Sequence, residues 1–145
     1  MNTCPERSEQ PDAKELLKSV LGCKSRLCDA EYRMERISEE LESAESSAAG
    51  SGMTGAAAEL RWQRLDSERR KLEKKYAEAF ENYSAALNRA YDLIDAVEDD
   101  LQRQVITLIY VENKTVPEVS YELSISNSWV KRLHYKALDA INARL

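Results

Sequence analysis

Seven residues near the C-terminus carry side chains that could do chemistry: Asn127, Ser128, Trp129, Lys131, Arg132, Tyr135 and Lys136. They bring an amide, two hydroxyls, an indole and three cations together within ten residues. Guanidinium and amide groups read base edges, cations neutralise phosphates and aromatic rings lie against sugars, so the chemistry on offer is recognition of double-stranded DNA. Nothing nearby suggests bond breaking. The single histidine, His134, has no nucleophile partner, and no glycine-rich phosphate loop occurs anywhere. His134 and Tyr135 read as helix surface. No enzyme activity and no cofactor are expected. Cys4, Cys23 and Cys28 form no CxxC pair, which argues against zinc and for reduced thiols.

Recognition of this kind needs a scaffold that presents one helix outward, and the spacing from Thr115 to Leu145 supplies it. Thr115 with Glu118 three residues on forms a capping box, and Pro117 falls in the first turn, where its missing N–H costs nothing. Val119 and Leu123 give that helix an apolar stripe, which stops at Ser124-Ile125-Ser126. Ser126 caps a second, longer helix whose inner stripe is Val130, Leu133, Ala137, Leu138 and Ile141. Lys131, Arg132, Tyr135 and Lys136 then lie on the face away from the core. Trp129 stands at the edge of the stripe and reads either as an anchor beside Val130 or as a contact to phosphate and sugar. Two helices, a tight turn and an outward second helix are the layout of a helix-turn-helix.

A third helix precedes the motif. Leu101, Val105, Leu108 and Ile109 recur at helical spacing, and Glu98, Asp99 and Asp100 place negative charge at its start, where the helix dipole favours it. Residues 98–145 therefore form a small three-helix domain.

Upstream, residues 1–11 are polar and unpatterned and read as a disordered leader. From Ala13 through Leu16, Val20, Cys23, Leu27, Ala30, Met34, Ile37, Leu41 and Ala44, small or apolar residues recur three and four apart. After a glycine-bearing stretch at 46–55, read as a flexible loop, the rhythm resumes at Ala58, Trp62, Leu65, Arg69, Leu72, Tyr76, Ala79 and Tyr83 and runs on to Val97. Sustained heptads of this kind specify a coiled coil. The two helices would be about 50 and 60 Å long. The same seam is satisfied by folding back within one chain or by pairing with another copy. The expectation carried forward is an antiparallel hairpin over 12–97, and the fold class is all-α: that long hairpin followed by the helix-turn-helix domain.

The chain carries a net charge of −5. From Ser120 to Leu145 four cations, Lys131, Arg132, Lys136 and Arg144, meet only Glu122 and Asp139, leaving +2 on that segment and −7 on the rest. With so few cations a single copy should hold DNA weakly, because non-specific affinity comes from phosphate neutralisation. Homodimerisation or docking on a larger DNA-bound partner would supply the difference. No apolar run is long enough to span a membrane, so no membrane partner is expected.

The segment from Leu101 to Ile141 resembles the fourth region of bacterial sigma factors. The resemblance lies in Thr115-x-x-Glu118-Val119-x-x-x-Leu123-x-Ile125-Ser126, followed by Val130-Lys131-x-Leu133-x-x-Lys136-Ala137-Leu138. With its paired-helix leader and the string Trp129-Val130-Lys131-Arg132-Leu133-His134, the whole chain is similar to phage-encoded sigma-like regulators, a family of unknown function from phages and prophages of Gram-positive bacteria. The resemblance implies a sequence-specific transcriptional regulator, an activator of phage genes in the cytoplasm of the bacterial host cell. RNA polymerase is the partner it adds. Two departures stand out: Ser124 replaces the usual turn glycine, and Asn127, Ser128 and Trp129 replace the arginine and glutamate that usually open the recognition helix. Sequence preference does not transfer across the second. Two other functions fit the same residues, a small terminase-like subunit that recognises DNA for packaging and a coiled-coil interaction protein.

Overall fold

A computed structural model describes residues 11–50 and 55–145. They form five helices in the order α1 (Ala13–Gly50), α2 (Gly55–Asp95), α3 (Asp100–Tyr110), α4 (Val116–Leu123) and α5 (Asn127–Asn142), with no strand among the described residues. The chain divides into two compact units, one of Lys24–Tyr83 and one that joins the described residues up to Cys23 to Ser84–Leu145. The helix-turn-helix thus shares its unit with the beginning of α1 and the end of α2, which makes that unit larger than 98–145. Two sequence expectations fall on residues outside the described ones: the leader at 1–10 and the middle of the loop at 51–54. The flanks of that loop are helical. Ser46 to Gly50 continue α1, because serine and alanine do not stop a helix as a proline would.

In the unit of Lys24–Tyr83, Ile37 and Ala44 of α1 and Leu65 of α2 form a buried cluster, with Leu41 and Leu72 packed against it. A groove beside it is lined by Arg26 to Arg33 of α1 and Leu72 to Asn82 of α2, so α1 and α2 run antiparallel. The expected seam differs at Trp62, which is 42 % exposed although its spacing placed it inside. The wide indole keeps part of its surface in water, outside a seam filled here by Ile37, Leu41, Ala44, Leu65 and Leu72. Arg69 joins the seam's edge because a buried carboxylate needs it: Asp66 is 7 % exposed and accepts from Arg69 at 2.6 Å.

The other unit is built on two sets of apolar residues. Val105, Leu108, Val119, Val130 and Leu133 form one buried cluster across α3, α4 and α5, with Leu101, Ile109, Val116, Leu123 and Ile125 against it. Ala13, Leu17 and Val20 of α1, Ile94 at the end of α2, Val97 just beyond it, and Ile106, Ala137 and Ile141 are also buried. The buried leucine of the first turns is Leu17, where heptad spacing had selected Leu16; this part of α1 follows the needs of its unit and not of the hairpin. Asp12 caps α1 by accepting from the Glu15 N–H at 2.9 Å, and the Ala13 N–H donates to the Asn142 side chain at 2.8 Å. A donor that every helix start leaves unsatisfied is thereby used to fasten α1 to the end of α5.

Candidate nucleic-acid interface

The geometry of the recognition segment begins at Thr115. Its hydroxyl accepts from the Glu118 N–H while the Glu118 carboxylate accepts from the Thr115 N–H, both at 3.4 Å, which closes the expected capping box on α4. Lys114 is held by Glu122 and, at 3.6 Å, by Glu112; the Glu122 hydrogen bond chiefly raises its pKa. At the other end of α4, Ser124 adopts φ 56° and ψ 43°, a left-handed conformation. The turn therefore keeps the shape that glycine usually gives it and accepts the steric cost of a Cβ. Ser120 stabilises it locally: its hydroxyl donates to the Ile125 carbonyl and its carbonyl accepts the Ile125 N–H at 3.1 Å. Ser126 then opens α5 and accepts from the Trp129 N–H at 3.1 Å.

α5 buries Val130, Leu133, Ala137, Leu138 and Ile141, and this fixes its outward side. Asn127, Ser128, Trp129, Lys131, Arg132, Tyr135 and Lys136 are all exposed. At 100° per residue Ser128, Arg132 and Tyr135 run along the middle of the outward face, with Lys131 on one flank and Trp129 and Lys136 on the other. Asp139 is the acid on that face. Trp129 is 36 % exposed and is not a core anchor. Arg132 and Lys136 lie over its ring at 5.7 and 5.6 Å from the centroid, so the indole gathers two cations at the surface. Among the described residues none of Lys131, Arg132 and Lys136 is in a salt bridge. Three cations on one helix in no salt bridge among the described residues, next to a helix N-terminus, form a surface suited to phosphate.

His134 is not surface. It is half-buried, its ring nitrogen Nε2 is 2.6 Å from the Tyr110 hydroxyl, and the two rings stack at 5.5 Å. Burial, and then Lys14 nearby, lower its pKa from the ordinary 6.5. The pair ties α5 to α3 and so sets the rotation of the outward face. The sequence held no local sign of it, because Tyr110 and His134 are 24 residues apart. Tyr121 on α4 also escaped notice and is 90 % exposed, the most open aromatic of the unit. The cation–aromatic group was legible in principle, since Trp129, Arg132 and Lys136 stand at i, i+3 and i+7.

A capped helix, a left-handed turn and a second capped helix with an outward cationic face define a helix-turn-helix DNA-binding module. Residues 99–143 match the family model for sigma-70, region 4, and that stretch of the chain is a sigma region 4 domain. No curated protein and no solved structure matches the chain. Sigma region 4 is a DNA-binding domain, which supports a DNA-binding regulator in general terms and a non-enzymatic one. No described helix is long and apolar enough to cross a membrane.

Proposed function

We propose that this chain is a sequence-specific transcriptional regulator, an activator of the phage-borne kind, which reads a promoter-proximal site through Asn127 to Lys136. The observation that carries the reading is the outward face of α5, where Lys131, Arg132 and Lys136 are exposed and, among the described residues, in no salt bridge, the last two lying over Trp129, inside a sigma region 4 domain. Ser128, Arg132 and Tyr135 are in the best position to reach base edges, and Lys131 and Lys136 to hold the backbone on either side. The domain's partners would be double-stranded DNA and RNA polymerase. Polymerase docking, or a homodimer joined through α1 and α2, would raise the affinity that two net positive charges on Ser120–Leu145 cannot supply alone.

Mobility-shift titrations of the full chain, with and without polymerase and over a range of protein concentrations, test this. Alanine at Arg132 should cost about 1–3 kcal/mol of specific binding if it meets a base, while alanine at Lys131 should lower the salt slope by about one ion. Thermal unfolding should barely change for either. Tight specific binding by a monomer at physiological salt without polymerase would remove the need for a partner, and unaltered affinity in both variants would remove the assigned face. Rings of many copies in sedimentation would favour a DNA-packaging subunit instead.

A further inference from the structure

Charge in the unit of Lys24–Tyr83 is sorted by helix. Residues 61–75 of α2 hold seven cations against Asp66, Glu68 and Glu73, a net of +4 in a chain whose total is −5. Residues 31–45 of α1 hold six carboxylates against Arg33 and Arg36, a net of −4. Two antiparallel helices with opposite biases could satisfy each other across their seam. They do not: among the described residues no salt bridge joins α1 to α2.

The cations of α2 have two different employments. Arg69 and Arg70 hold the buried Asp66 at 2.6 and 3.2 Å, which is a structural role. Arg64, Lys71 and Lys75 are exposed and in no salt bridge among the described residues. Their spacing of i, i+7 and i+11 puts them in one row about 16 Å long. Lys75 lines a groove of about 240 Å³ whose other bank carries Arg26 and Arg33 of α1. Asp29 in that groove is held by Arg33 at 3.2 Å. Helical phase turns the acidic bias elsewhere, since Glu31, Glu35 and Glu42 lie about half a turn round α1 from Arg33. Four acids do share the cationic side, Asp29, Glu40, Glu68 and Glu78. With the rim included, where Arg36 and Lys74 stand with Glu81 at i+7 from Lys74, seven cations face five acids.

We infer that this side of the unit, centred on Arg64, Lys71 and Lys75 with Arg26 across the groove, is a second DNA surface that takes the phosphate backbone of a duplex without reading its sequence. The inference rests on the DNA-binding reading above and deepens it. A row of lysines and arginines on a rigid helix supplies point charges and no fixed amide or aromatic platform, which is the chemistry of backbone contact. It also resolves the weakness of the recognition helix. The body of the chain is acidic as a whole but not on this side, and each cation that meets a phosphate releases counterions that an acidic average would hide.

The test is duplex binding by the full chain, followed by fluorescence anisotropy across salt. Lys71→Gln and Lys75→Gln should each lower the slope of log affinity against log salt by about 0.9, so the double variant should lose roughly 12-fold less affinity than wild type between about 50 and 200 mM salt. Lys24→Gln, on the opposite side of α1, should leave the slope in place. Both substitutions on α2 are exposed and keep good helix formers, so circular dichroism should match wild type. An unchanged slope in the double variant overturns the inference, as does an equal loss from Lys24→Gln, which would make net charge the cause. A weaker self-association in sedimentation with an intact slope also overturns it and assigns the surface to a second copy. If wild type binds no duplex, this surface and the function reading fall together. If Arg132→Ala removes sequence preference while the double variant keeps its slope, only this surface falls.

Discussion

Replacing Ser124 by glycine should make the protein more stable, although it deletes a side chain. Ser124 sits at φ 56° and ψ 43°, where the Cβ of an L-residue crowds the following carbonyl at a cost of about 1–2 kcal/mol. Glycine escapes that cost but brings a more flexible unfolded chain, which takes back about 0.4–1 kcal/mol. The balance is a gain of roughly 0.5–1 kcal/mol, or about 2–5 °C in Tm for a chain of this size. Ser124 is exposed and makes no side-chain hydrogen bond among those found in the structure, so nothing else is lost. Ser124→Val supplies the opposite case, because a β-branched residue is a true outlier in this region and should cost at least as much as serine does. Urea titrations followed at the helical signal would measure both, with an unchanged m-value as the sign that only stability moved. A lower midpoint for Ser124→Gly would refute the reasoning, since it would mean either that the turn is not left-handed or that the serine side chain is held by something unseen. The same variant should keep its DNA affinity, as the turn shape that places α5 is preserved.

Four further substitutions probe the same unit. Ser126→Ala removes the acceptor of the Trp129 N–H and should cost about 1 kcal/mol, with weaker DNA binding because α5 frays where it should meet the duplex. Leu133→Ala, at a position 3 % exposed, should cost about 2–5 kcal/mol in thermal or chemical unfolding. His134 gives a pH signature: its folded pKa lies below the ordinary 6.5, so as pH falls through 6.5 the unfolded chain takes up a proton that the folded chain refuses. Stability should therefore drop on acidification from about pH 6.5 downward, and His134→Gln should remove that component. A pH profile identical in wild type and His134→Gln would show that the histidine is not buried as described. Tyr110→Phe should cost about 1 kcal/mol by leaving the His134 ring without its partner.

Much of this protein was written locally. The capping box at Thr115 and Glu118, the serine cap at 126 and the alternation of apolar residues along α3, α4 and α5 each depend on residues within one or two turns, and helix boundaries follow from such short-range terms. The outward position of Asn127, Ser128, Lys131, Arg132, Tyr135 and Lys136 was legible for the same reason, because burying one stripe of a helix exposes the other. Heptad spacing likewise announced two long helices.

Tertiary structure decided what local spacing left open. Trp62 and Leu16 satisfied the heptad rule and yet yielded to neighbours the rule does not see: Trp62 is open to solvent, and Leu17 takes the interior place at the start of α1. Whether Ser124 would avoid the left-handed region or endure it depended on where α4 and α5 had to pack, and the shared cluster of Val105, Val119, Val130 and Leu133 imposed the answer. The pairing of Tyr110 with His134 and the fastening of Ala13 to Asn142 join residues 24 and 129 positions apart, and no periodicity carries information over such distances. Helices are chosen by near neighbours. The face each one turns inward, and therefore which cations stay free to meet DNA, is settled only when the chain packs.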